Sequence, residues 1–306
     1  MAEIDFPARM TAAPDELVLR HGEIELIGLS IAARATAFAV EAFDVAVDMG
    51  RCSALLAAQS TVLLTHCHSD HTAGLVAWLS ARARRYRGLP LRIVVPAQRR
   101  NALLTALEHW PDLDNMRRRL DLARVLVPVS PGDELDLPEG GRARAFALHH
   151  TTTCVGWQLL APGRRRPRLV VAGDSTVLPF RDEPSLLDAE VAVVDCTFVE
   201  PGTRVAARLS GHSHLQEWLE FFPQMSCDRL VLAHLPAELT AERFLELVGT
   251  SVMGGAKLVP WIASDRDERH EKPDDSKEHE KRHEKETDDV ARLDAQAGAH
   301  DRQDHE

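Results

Sequence analysis

The run Thr65-His66-Cys67-His68-Ser69-Asp70-His71 places three imidazoles and a carboxylate within six positions, directly after the apolar Val62-Leu63-Leu64. A short apolar run of this kind reads as a buried strand. A strand that ends in so dense a group of ligand-type side chains constrains the fold, because buried imidazoles and a carboxylate without compensating partners cost too much to maintain. His66 and His68 are two apart and reach one ion in extended geometry. Asp70 and His71 open the following helix and turn toward a second. Nitrogen and oxygen donors without thiolate fit zinc, with manganese or iron as competitors. Cys67 lies between the ligands and is expected to point away from them.

The rest of the chain repeats the device. His150, Asp174 and His234 also stand at strand ends, after Phe146-Ala147-Leu148-His149, Val171-Ala172-Gly173 and Val231-Leu232-Ala233. Loops at strand ends are where a rigid sheet presents functional groups. Residues 17–48 read as successive short strands punctuated by Gly22, Gly28 and Gly50. Further strands are expected at 61–65, 91–95, 125–129, 143–148, 155–160, 169–172, 191–195, 229–233 and 257–262. Helices are expected at 73–87, 101–110, 115–120, 215–222 and 241–248. Arg164-Arg165-Arg166 marks a basic hairpin loop. Gly74 is expected to let the helix after Asp70 lie close to the sheet.

Size and charge bound the remaining options. The 306 residues, 44% hydrophobic, suffice for one large domain, expected over 1–263. From Ser264 onward sixteen acidic residues face nine basic ones, which accounts for seven of the eleven net negative charges. That tail, 264–306, has almost no branched aliphatic residues and is expected to be a disordered, His-containing solubilising appendage. The body is only mildly acidic, so a local basic patch for nucleic acid is not excluded. The five cysteines are scattered singly, which fits a reducing cytosol. No signal segment and no apolar run of about 20 residues is present, so the expectation is a cytoplasmic protein without a membrane partner.

His66-Cys67-His68-Ser69-Asp70-His71 resembles the H-x-H-x-D-H motif of the metallo-beta-lactamase superfamily. Asp48-Met49-Gly50-Arg51-Cys52, His150 to Trp157, Gly173-Asp174-Ser175-Thr176, Thr197-Phe198 and Gly211-His212-Ser213-His214-Leu215 each resemble, in order, stretches of ribonuclease Z, the tRNA 3'-end-processing endonuclease, in its short plant-like form. The resemblance implies an α/β fold, a four-layer αβ/βα sandwich. It implies that His66, His68 and His150 hold one zinc, that Asp70, His71 and His234 hold the other, and that Asp174 bridges them. His149 is then a supporting or core residue. Asp70 is expected to orient or deprotonate the attacking water as well. His212, paired with Asp195, is expected to donate a proton to the leaving group, the carboxylate fixing its tautomer and raising its pKa. His214 has a weaker case for function, with a structural role equally open.

This chain departs from the pattern in two places. His234 is followed by Leu235-Pro236-Ala237 where the family carries a serine-arginine-tyrosine type sequence, and that arginine suits phosphate. The long arm that grips tRNA is expected between Trp157 and Asp174, where only the sixteen residues Gln158 to Gly173 stand. Arg164–Arg168, or Arg82, Arg84, Arg85 and Arg87, are the candidate replacements for phosphate contact. The implied activity is a binuclear metal-dependent phosphodiesterase acting on a small-molecule or RNA phosphodiester, as a homodimer in the family's manner. Alternatives are a pre-tRNA endonuclease proper, a hydrolase of a small ester, lactone or thioester, and a non-catalytic metal-stabilised binding protein.

Overall fold

The computed structural model describes residues 4–10, 13–86, 88–110, 120–249 and 257–263. The tail 264–306, Arg87 and nearly all of the helix expected at 115–120 lie outside the described residues. The first sheet has eight strands in chain order: β1 (Ala8–Met10), β2 (Ala13–His21), β3 (Ile24–Ile31), β4 (Ala35–Val40), β5 (Val45–Val47), β6 (Thr61–Leu63), β7 (Arg92–Pro96) and β8 (Leu126–Val129). The second has seven: β9 (Glu134–Asp136), β10 (Arg142–Ala147), β11 (Val155–Leu160), β12 (Leu169–Val171), β13 (Val191–Asp195), β14 (Arg229–Ala233) and β15 (Lys257–Pro260). Each sheet begins antiparallel and turns parallel, from β5 in the first and from β12 in the second. Parallel neighbours need crossovers, and helices such as Leu75–Arg85 and Leu215–Phe221 supply them.

The strand residues alternate between two buried environments. Leu63, Val191 and Val193 enter the core between the sheets, with Phe38, Trp157 and Trp261. Val62 and Leu64 face the other way, toward helix residues Leu75 and Trp78. Ala192 and Val194 likewise face Phe180, Trp218 and Phe244. The result is helix, sheet, sheet, helix, the four-layer sandwich that the resemblance implies. Among the described residues no helix is long and apolar enough to cross a membrane.

The sheets are tied together beside the metal-type residues. Trp157 on β11 donates its indole N–H to the Leu64 carbonyl at 3.2 Å, and the Val155 amide donates to the Thr65 carbonyl at 2.9 Å. At Gly173 a Cβ would stand 2.4 Å from the Thr65 Cβ, so only glycine lets the end of β12 approach the end of β6 this closely. At Gly74, too, a Cβ would stand 2.6 Å from the Arg51 backbone. The helix after Asp70 therefore packs directly on the loop that follows β5.

The expected basic hairpin does not serve the same edge. It joins the far end of β11 to the start of β12, opposite the end that carries His150 and Asp174. Arg166 there is engaged with Asp188 and Asp228, and Arg168 with Glu23. Arg82, another candidate for phosphate contact, is buried and donates to the carbonyls of Ala58 and Pro90.

Candidate metal centre

Parallel strands end on one edge, and that edge carries the chemistry. β5 delivers Asp48; β6 delivers Thr65, His66 and, through the short helix Ser69–Thr72, Asp70 and His71. β12 delivers Asp174, β13 ends at Asp195 and β14 delivers His234, while the β10–β11 loop supplies His150. All seven residues named as ligands from the sequence converge. His66, His68, His150 and Asp174 form one group, and Asp70, His71 and His234 another, each with its ligand atoms within 4.8 Å of one another. Asp174 lies between them, with Oδ1 3.3 Å from His71 Nε2 and Oδ2 3.7 Å from both His66 Nε2 and His234 Nε2.

Hydrogen bonds on the outer side of each ring decide which nitrogen faces inward. The Gly211 carbonyl only accepts, so His150 Nδ1 donates to it at 2.9 Å and the Nε2 lone pair points to the centre. Asp48 Oδ2 accepts from His71 Nδ1 at 2.8 Å with the same consequence. Two threonines act as relays. The Thr65 hydroxyl donates to Asp48 at 2.8 Å and accepts from His66 Nδ1 at 3.1 Å; the Thr197 hydroxyl donates to Asp195 at 2.6 Å and accepts from His234 Nδ1 at 2.8 Å. Imidazoles fixed this way through a carboxylate or carbonyl are a hallmark of metal ligands.

The donor set fits a pair of cations. His66 Nε2 and His71 Nε2 are buried with no hydrogen-bond partner, a cost that metal coordination would remove. His68 Nδ1 and His150 Nε2 stand 3.4 Å apart, close to the roughly 3.3 Å expected of two nitrogens on one tetrahedral zinc. His234 Nε2 and Asp70 Oδ2 are 3.2 Å apart. Burial opposes charge on His71, yet Asp48 and Asp174 outweigh it and hold the imidazole well above the usual histidine range. Burial also opposes charge on Asp174, but His71 and His234 outweigh it and hold the carboxyl well below its ordinary range. Burial opposes charge on Asp70, whose bond to His234 and whose neighbour His71 still bring it down to about 2. On His66 burial, with His71 beside it, pushes the imidazole far down. The carboxylates thus call for positive charge at this point, while the innermost ring is kept neutral.

Asp195 and His212 meet as expected, Nδ1 to Oδ2 at 2.9 Å. Burial opposes the imidazolium, and the bond to Asp195 outweighs it, so the His212 pKa is raised. His212 stacks on His234 with centroids 5.5 Å apart. It also groups with Asp174 and His234. The nitrogen nearest Asp174, at 4.0 Å, is however the same Nδ1 that Asp195 holds. His149 stays outside the cluster and bonds Thr176. His214 is structural: its ring accepts from the Gln216 amide and caps helix Leu215–Phe221. Sequence reasoning passed over Asp48 as a functional residue, although a carboxylate directly follows β5 much as one ends β13.

Fold and site together define a class of protein. A family model described as the beta-lactamase superfamily domain matches residues 49–235, and the chain belongs to the metallo-beta-lactamase superfamily, with distant homology to ribonuclease Z members. It is 24% identical over 252 residues to tRNase Z TRZ1 of Arabidopsis thaliana, covering 72% of this chain and 88% of that protein. It is 31% identical over 130 residues to nuclear ribonuclease Z of Triticum aestivum, covering 42% of this chain and 71% of the relative. The crystal structure of the metallo-beta-lactamase fold protein YhfI from Bacillus subtilis superposes with a TM-score of 0.54 at 18% identity, over 78% of this chain and 92% of that one.

Proposed function

We propose that this chain is a binuclear, zinc-dependent phosphodiesterase related to ribonuclease Z. The observation that carries the reading is the convergence of inward-facing nitrogens and carboxylate oxygens in two groups that meet at Asp174. His66, His68 and His150 would hold one ion, Asp70, His71 and His234 the other, with Asp174 between. Two such ions would supply an activated water and a clamp for the charged phosphoryl oxygens.

The chain's own residues do the rest. Asp70, held down to about 2, is a poor proton acceptor and serves as ligand and as an acceptor that orients the attacking water. His212 is anchored at Nδ1 by Asp195, which leaves Nε2 as the end that can give a proton to the departing oxygen. Stacking on His234 holds the ring in register with the second group. The named relatives, tRNase Z and nuclear ribonuclease Z, support a phosphodiester as the bond cleaved. Their tRNA substrate is less favoured here, because the turn between β11 and β12 is short and lies at the opposite end of the sheet, with its Arg166 and Arg168 engaged by acidic side chains.

The test is hydrolysis of bis(p-nitrophenyl) phosphate by the zinc-loaded protein, beside pre-tRNA and a lactone. Turnover of the diester that disappears in His68→Ala is the expected result. Lactone turnover with no diester cleavage would replace the phosphodiesterase reading with an ester hydrolase.

A further inference from the structure

The turn after β7 carries consecutive arginines with opposite fates. Arg100 spends its guanidinium on the carbonyls of Leu126 and Ala123, at 2.9 and 2.7 Å, and so holds its own helix, Arg100–Glu108, against β8. Arg99 is exposed and makes one side-chain bond, from Nη2 to the Thr152 hydroxyl at 2.8 Å. Among the described residues no carboxylate pairs with it. An arginine fork has five N–H donors, so a single neutral bond leaves most of its binding capacity unused.

The position of this fork matters. Arg99 lies on a loop of the first sheet and Thr152 on the β10–β11 loop of the second, two residues beyond His150. Together they border a cleft of about 590 Å³ that is also lined by His68 and by Ala102, Leu103 and Ala106. The cleft is therefore lined both by a candidate ligand of the first ion and by a guanidinium that no described carboxylate pairs with. Its size falls in the range of small-molecule sites, and its small apolar lining residues leave room for a sugar or flat ring.

We propose that Arg99, positioned by Thr152, binds a second phosphate of the substrate, one unit removed from the phosphodiester at the metal centre. A planar guanidinium recognises phosphate oxygens in pairs, which a lysine does not reproduce. The proposal deepens the phosphodiesterase reading and rests on it for the placement of the scissile group. It predicts a preference for nucleotides that carry an extra terminal phosphate over those that do not.

Calorimetry on the zinc-loaded protein tests it with thymidine 3',5'-bisphosphate and thymidine 5'-monophosphate. Wild type should bind the bisphosphate about tenfold to a hundredfold more tightly, the gain of charge-assisted bonds to a second anion. Arg99→Ala should erase that advantage without weakening the monophosphate; Arg99→Lys should restore only part of it; Thr152→Val should reduce it. A wild type without the advantage, or an Arg99→Ala protein that retains it, overturns the proposal. Cleavage then separates the two readings: pTpT should lose its KM advantage over TpT in Arg99→Ala. Should the wild type cleave neither dinucleotide, the phosphodiesterase reading fails while the binding comparison still decides the role of Arg99. An unchanged thermal melt of Arg99→Ala, expected for an exposed side chain, excludes misfolding as the cause.

Discussion

The two sheets build the same corner twice and use it differently. In the first, Asp48 stands just past β5, holds His71 directly and holds His66 through the Thr65 hydroxyl. In the second, Asp195 ends β13, holds His212 directly and holds His234 through the Thr197 hydroxyl. Each aspartate also accepts backbone amides, Thr65 for Asp48 and Ser175, Thr197 and Ser213 for Asp195. The difference is depth. Both histidines of the first corner are buried and turn Nε2 inward, whereas His212 is half-buried beside the buried His234. One carboxylate thus secures two candidate ligands, while the other secures one ligand and one ring that is free at its outer nitrogen. A repeated local design yields binding in one half and, we propose, proton transfer in the other.

The sharpest way to break this comparison is to remove the ring that differs. His212→Ala should lower kcat for the diester by about 10² to 10⁴-fold, the usual contribution of a positioned proton donor, with zinc content unchanged by elemental analysis. Loss of one zinc per chain in that variant would instead make the corners equivalent. Next in size, Asp48→Asn should weaken zinc binding by about 10 to 100-fold, as removal of a carboxylate behind a ligating histidine does. Asp195→Asn should weaken it less, because of the seven candidate ligands only His234 is held by Asp195. Competition with a chelator measures both, and equal losses would deny the difference in depth any role.

Much of this site is visible in the chain because its ligands announce themselves locally. His66, His68, Asp70 and His71 share one loop and helix start; His150, Asp174 and His234 each follow an apolar run. The Asp195–His212 pair was reached through resemblance. What stayed hidden depends on tertiary closure. Asp48 is an ordinary carboxylate after a strand until the chain brings His71 back to it, and the same distance in sequence hides the Thr65 and Thr197 relays. The arginines chosen from the sequence were the clustered ones, yet Arg82 and Arg166 serve carbonyls and aspartates of their own surroundings. Arg99 carried no local mark to distinguish it from Arg100. The four layers, too, were implied by the resemblance; the strand runs apolar on both faces agree with them, since only a sheet covered on each side buries such residues.

Gly211 tests how tightly the second corner is joined to the first ion's group. Its φ is +76°, and a Cβ there would stand 2.9 Å from both His150 Nδ1 and the Thr151 amide. Gly211→Ala should cost about 1–3 kcal/mol of stability through backbone strain and displace the carbonyl that holds His150. A thermal melt reads the first effect and zinc affinity the second. A stability loss with unchanged zinc affinity would mean that His150 needs no help from this loop.

The smallest effects discriminate between the relays. Thr65 is fully buried and Thr197 only partly so, and each valine substitution keeps the shape while deleting one hydroxyl that serves a carboxylate and a histidine. In Thr65→Val the buried His66 Nδ1 and Asp48 lose a partner that water cannot replace, a cost of about 1–3 kcal/mol. In Thr197→Val solvent reaches the gap, and the loss should fall to about 0.5–1.5 kcal/mol, the net value of an ordinary hydrogen bond. Urea denaturation of the zinc-loaded proteins gives both numbers. If Thr197→Val proved the more damaging, burial would not be what separates the two corners, and the outer position of His212 would need another origin.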